Sequence, residues 1–101
     1  MPLIPDGSNM FVVDLHYVVP LEEIDAAIPG HVDFLKANYA SGAFVLSGRK
    51  APRTGGGIIA VAESREKLEA VLREDPFHKA GLARYTITEF TPTMRAAQLD
   101  G

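Results

Sequence analysis

The hydrophobic period changes abruptly at Pro20, and that change restricts what this chain can fold into. Before it, Phe11 to Val19 (FVVDLHYVV) is rich in β-branched and aromatic residues and alternates. Phe11, Val13, Leu15 and Tyr17 go to one face of a strand, and Val12, Asp14, His16 and Val18 to the other. After it, apolar residues recur at Leu21, Ile24, Ile28, Val32, Leu35 and Tyr39, the steps of three and four that mark a helix stripe. Pro20 suits the first helical position, Glu22 and Glu23 complement the positive helix end, and Gly42 supplies the stop. Pro29 interrupts the stripe. It has no N–H for the carbonyl of Asp25, so the helix is expected to kink or restart there.

Ala43 to Ser47 (AFVLS) reads as a second strand and Gly57 to Ala62 (GIIAVA) as a third. The segment between them, Gly48 to Gly56 (GRKAPRTGG), is turn-rich and basic. With Gly55 to Gly57 it reads as a flexible lid able to close over an anionic ligand. Ser64 caps a second helix, with Glu66 in its first turn and Leu68, Val71 and Leu72 on its apolar side. Asp75-Pro76 ends that helix, because a residue before proline is pushed out of the α region. Phe77 to Leu82 is a short connector, and Arg84 to Phe90 (RYTITEF) alternates as the last strand. The order β-α-β-β-α-β is that of an α+β, ferredoxin-like fold, an antiparallel sheet with both helices on one face. The other sheet face carries apolar residues that must not stay wet, so a homodimer packed through its sheets is expected.

Composition narrows the function. A chain of 101 residues makes one domain. Ten Lys+Arg against thirteen Asp+Glu, net charge −3, argues against nucleic-acid or polybasic membrane binding, both of which rest on clustered cations. No apolar run approaches the roughly 20 residues of a membrane span. Residues 1–9 (MPLIPDGSN) lack the pattern of a secretory signal and read as a flexible arm, residues 10–92 as the domain, and residues 93–101 as a frayed tail or short helix. A cytoplasmic location is the expectation. The absence of cysteine removes disulfides, thiolate nucleophiles and Cys-type metal sites, leaving three histidines, carboxylates, hydroxyls and backbone for any polar chemistry. No two histidines fall at i, i+4 spacing, so no metal site is expected. Asp14 and His16 share the mixed face of the first strand and would contact a ligand bound there, or stand as an exposed or interface pair. Ser47 would offer a hydroxyl to the same pocket, or simply end its strand.

Several segments together resemble the YciI-like family of the dimeric α+β barrel superfamily: GHVDFLKANYASGAFVLSG at 30–48, APRTGGG at 51–57, and AESREKLEAVLREDPFHKAGL at 62–82. The strand Tyr85 to Phe90 followed by Pro92 fits as well. The resemblance implies a ferredoxin-like protomer, a homodimer and a small-molecule pocket beside the sheet, with no organic cofactor. Its enzymatic members and neighbours resemble lyases and isomerases of small oxygenated ring compounds, including dehydrochlorination of a chlorinated hydroxyquinol. It puts His31 and Asp75 forward as a catalytic pair; its other specific points, Ser47-Gly48 and Pro76-Phe77, are expected around the ligand, and Arg49 is expected there as part of the basic loop. A carboxylate accepting Nδ1–H would fix the imidazole tautomer and leave Nε2 for general acid–base work, either proton transfer or elimination. Two other readings stay open. His31 would cap a kinked helix while Asp75 opens a turn before Pro76, or the same fold and pocket would serve a non-catalytic binding or accessory module.

Overall fold

The computed structural model describes residues 3–100, the side chain of Asp100 excepted. Strand β1 spans Asn9–Tyr17 and helix α1 spans Leu21–Ser41, with Pro20 as its N-cap. Strand β2 (Phe44–Arg49) and strand β3 (Gly55–Ala62) follow, then helix α2 (Arg65–Leu72) and a single helical turn, α3 (Pro76–Lys79). Strand β4 (Ala83–Phe90) and a short 3₁₀ turn at Ala97–Asp100 complete the order. The strands form one antiparallel sheet in the order β2-β3-β1-β4. This is the expected ferredoxin-like arrangement. No helix among the described residues is long and apolar enough to cross a membrane.

The helices cover one sheet face. Phe11, Val13 and Leu15 of β1 and Ile58 and Ala60 of β3 are buried against Ile24 and Phe34 of α1, Leu68 and Leu72 of α2, and Phe77 of α3. The alternation of β1 therefore divides its side chains as the sequence implies. Helix α1 differs from expectation: it runs through Pro29 without a break. Pro29 and Asp25 are both exposed, so the carbonyl that loses its helical partner can meet water instead. Gly42 ends the helix at φ 86°, a left-handed conformation that costs glycine little, and its N–H reaches the carbonyl of Tyr39 at 3.2 Å. Ser64 Oγ accepts the N–H of Lys67 at the start of α2, as its position suggested.

Three further expectations change. The glycine triplet does not belong to a mobile lid; Gly55, Gly56 and Gly57 open strand β3, paired with His16, Leu15 and Asp14 on one side. Gly56 and Gly57 also pair with Arg49 and Gly48 on the other. A central strand bonded on both edges overrides the weak strand propensity of glycine, which here permits close backbone approach. The remaining loop is tied down as well, since Tyr17 N–H reaches the carbonyl of Thr54 at 3.0 Å and Lys50 N–H that of Gly55 at 2.9 Å. The Ala51–Pro52 peptide bond is cis. Finally, the described part of the segment read as a flexible arm, residues 3–9, turns back onto the sheet: Ile4 is buried with Met10 and Val61, and Ser8 N–H bonds the carbonyl of Pro5, while residues 1 and 2 lie outside the described residues. Burial of an isoleucine is worth about 1.5–3 kcal/mol, enough to hold a short segment that composition alone marks as loose.

The open sheet face is divided along its strands. One end carries Met10, Val12, Leu46, Ile59, Val61 and Phe90; Val12 is 39%, Phe90 45% and Leu46 58% exposed. The other end carries Asp14, His16 and Arg84, with Lys50 Nζ 2.9 Å from the Asp14 carboxylate.

Gly55→Ala tests how tightly the glycine triplet is held. A Cβ at residue 55 would lie 1.8 Å from the carbonyl oxygen of Leu15, whereas one at residue 48 meets nothing. Overpacking of this kind costs on the order of 3 kcal/mol, a fall in Tm of about 15 °C for a domain of this size. Thermal unfolding should show that fall for Gly55→Ala and little change for Gly48→Ala. Equal Tm values would mean that the β1–β3 approach is looser than described.

Candidate active site

A cavity of about 440 Å³ lies between α1 and the helix-side face of the sheet. Ile28, His31 and Leu35, spaced by three and four, line it from α1; Phe77 closes one side. The sheet contributes Leu15, Tyr17 and Ile58, and β2 adds Ser47, Gly48 and Arg49.

Local structure explains how His31 meets its partner. Asp75 is the N-cap of α3, and its Oδ1 accepts the N–H of Phe77 at 3.0 Å. Pro76 occupies the first helical position, where its missing N–H costs nothing. It lies close against α1 at Gly30, where a Cβ would stand only 3.2 Å from Pro76 Cγ. This approach brings Asp75 Oδ1 within 2.8 Å of His31 Nδ1. Phe77 then stacks on the imidazole, with centroids 4.0 Å apart and planes 5° from parallel. Tyr85 of β4 donates its hydroxyl to Asp75 Oδ2 at 2.6 Å.

Asp75 has no solvent exposure and receives three bonds, one from backbone and two from side chains. Tyr85 O–H donates to Oδ2 and Phe77 N–H to Oδ1, so both carboxylate oxygens already accept. Asp75 is therefore an acceptor, and His31 gives it Nδ1–H. Nε2 is left for the cavity, where the His31 side chain retains 13% exposure. Burial, then the hydrogen bond to Asp75 and the charge beside it, push the Tyr85 phenol far above its ordinary value, so it stays protonated.

Other candidate residues fall into two groups. Ser47, Gly48, Arg49 and Phe77 line the cavity with His31, while Pro76 supports it from behind. Asp14 and His16 do not join them. They point to the opposite sheet face, because the strand alternation that buries Val13 and Leu15 toward α1 turns them away. Ser47 reaches the cavity by a route that alternation alone misses. The β2–β3 register shifts between Phe44 and Leu46, and the extra residue, Val45, turns Ser47 and Arg49 onto the helix side. The Ser47 hydroxyl bonds the hydroxyl of Tyr39. Arg53 pairs with Asp25 of α1 at the cavity edge. Tyr85 was not foreseen as a site residue; its signal was the alternation of Ala83, Tyr85 and Ile87 toward the core, which placed a phenol where a polar partner was needed. His78 stands apart near Tyr85, and among the described residues no group of three or more His, Asp or Glu is placed to hold a metal ion.

The YCII-related domain model matches residues 10–91. The chain belongs to this family. Among solved structures, this YCII-related protein is similar to the 5-chloro-2-hydroxyhydroquinone dehydrochlorinase of Burkholderia phenoliruptrix AC1100, determined in complex with 2,5-dihydroxybenzoquinone. The TM-score is 0.71 at 20% identity, covering 81% of this chain and 93% of that one, a likeness of fold. No curated protein matches the chain.

The Tyr85–Asp75 bond has a pH signature. Since the folded state holds the phenolic proton more tightly than the unfolded chain, its stabilisation is complete below about pH 10 and shrinks as pH rises further. Tyr85→Phe should cost about 1.5 kcal/mol at pH 8, as for loss of a hydrogen bond to a charged group. Urea unfolding should show the gap between wild type and variant narrowing above pH 10; a constant gap up to pH 11 would contradict the buried bond.

Proposed function

We propose that this protein catalyses a cofactor-independent proton transfer or elimination on a small oxygenated ring compound, a lyase- or isomerase-type reaction. The observation that carries the reading is a histidine with Nδ1 committed to a buried carboxylate and Nε2 left for a cavity of about 440 Å³. As base, the uncharged imidazole takes a proton from a C–H or O–H of the bound ring through Nε2. The freed electron pair forms the new π bond and, in an elimination, expels the leaving group as an anion. Asp75 steadies the imidazolium that results, and the proton then passes to product or solvent. Phe77 keeps the ring plane of His31 fixed, and Tyr85 holds the second oxygen of Asp75 in place. The family and the fold shared with a dehydrochlorinase support this class of reaction.

The functional unit in this reading is a cytoplasmic homodimer. The exposed Val12, Leu46 and Phe90 on the open sheet face support it, as a face of this kind calls for cover. Sedimentation should give twice the mass of the 10.9 kDa chain; a stable monomer would remove the dimer from the proposal.

The reaction is tested on 5-chloro-2-hydroxyhydroquinone and a panel of related hydroxylated rings, with chloride release and ring absorbance as readouts. His31→Ala should lower turnover by about 10²–10⁴-fold, the usual contribution of a general acid–base group, with the oligomeric state unchanged. Undiminished turnover in the variant would exclude His31 as the catalytic group. No turnover by the wild type across the panel would favour a ligand-binding module that uses the same pocket.

A further inference from the structure

The charged groups around the cavity do not cancel. Asp25 and Arg53 lie within 2.5 Å of each other and neutralise one another. Arg49 has no carboxylate within ion-pair reach among the described residues. Its direction is set by the strand. After the register shift at Phe44/Leu46, Arg49 pairs with Gly56, and Gly56 pairs in turn with Leu15, which faces the helices. The Arg49 side chain therefore leaves β2 on the cavity side, where it lines the cavity while staying exposed to solvent, beside a residue with no side chain to answer it. Gly56 also cannot be larger, since its Cβ would approach the carbonyl oxygen of Gly48 to 2.8 Å. The cavity thus has an imidazole on its helix wall and one uncompensated positive charge on its sheet wall.

We infer that the ligand of this pocket is a ring compound bearing one carboxylate, which Arg49 receives while the ring lies within reach of His31 Nε2. The inference names the substrate class for the reaction proposed above and rests on that reading. A single positive charge matches a carboxylate, which carries one negative charge at neutral pH, better than a phosphate monoester, which carries about 1.5–2. The planar guanidinium fork also fits a carboxylate by two parallel bonds.

Titration calorimetry with 2,5-dihydroxybenzoate and 2,5-dihydroxybenzamide separates charge from shape. The acid should bind about tenfold more tightly than the amide. Arg49→Met should bring the acid down to the level of the amide and leave the amide unchanged, while Arg49→Lys should keep part of the preference. Equal affinities in the wild type, a preference that survives Arg49→Met, or no binding of either compound at millimolar concentration would overturn the inference. Tighter binding of 2,5-dihydroxyphenyl phosphate than of the acid would overturn the carboxylate assignment. A protein that turns over no ring compound yet keeps the tenfold preference would defeat the proposed reaction alone. Turnover of uncharged rings without any preference for the acid would defeat this inference alone.

Discussion

A carboxylate removed from water is costly unless donors replace its hydration, and Asp75 collects three. Each comes from a different element: His31 from α1, Phe77 N–H from α3, Tyr85 from β4. Shifting any of these elements would leave a buried charge short of a partner, a loss of several kcal/mol by analogy with broken buried pairs. The carboxylate therefore does two things at once. It fixes the imidazole tautomer, and it locks the single turn α3 between a long helix and an edge strand. Gly30 permits this, because a side chain there would crowd Pro76 and push α3 outward.

The cavity itself is built by absence. Strand β3 would ordinarily present side chains toward α1 along its whole length, and Ile58 and Ala60 do so. At Gly56 the row stops, and the space beside Leu15 stays open. On β2, one extra residue reverses which side chains share that space. A glycine and a bulge, neither carrying any chemistry, thus decide that Ser47 and Arg49 stand on the same side as His31.

Much of this is legible in the sequence. The change of period at Pro20, the cap at Ser64 and the Asp75-Pro76 break locate the elements, and simple alternation sorts the faces of β1 correctly. What was not legible depends on partners distant in sequence. Gly55 to Gly57 look flexible by local propensity, and only bonding to β1 and β2 makes them a strand. Pro29 looks like a helix breaker, but α1 is held by packing at Ile24 and Phe34 on both sides of it. The β2 register shift has no sequence signature, so Ser47 was grouped with Asp14 and His16 although the sheet separates them. Tyr85 was visible only as one more inward residue of β4, since its role rests on an oxygen ten residues away.

The uninterrupted course of α1 bears on how such a protein can diversify. Each residue of an α-helix turns the chain by about 100°, so a single insertion between Ile24 and His31 would swing the imidazole off Asp75 while Ile24 stayed anchored in the core. Chain length in that stretch is effectively frozen. The hairpin between Arg49 and Gly55 is under a weaker constraint, because its ends are fixed by the sheet while its middle is held by the Thr54 carbonyl and the Arg53–Asp25 pair. Insertions and deletions that reshape the pocket mouth have room there, at the expense of the Arg53–Asp25 pair but without turning His31 away from Asp75.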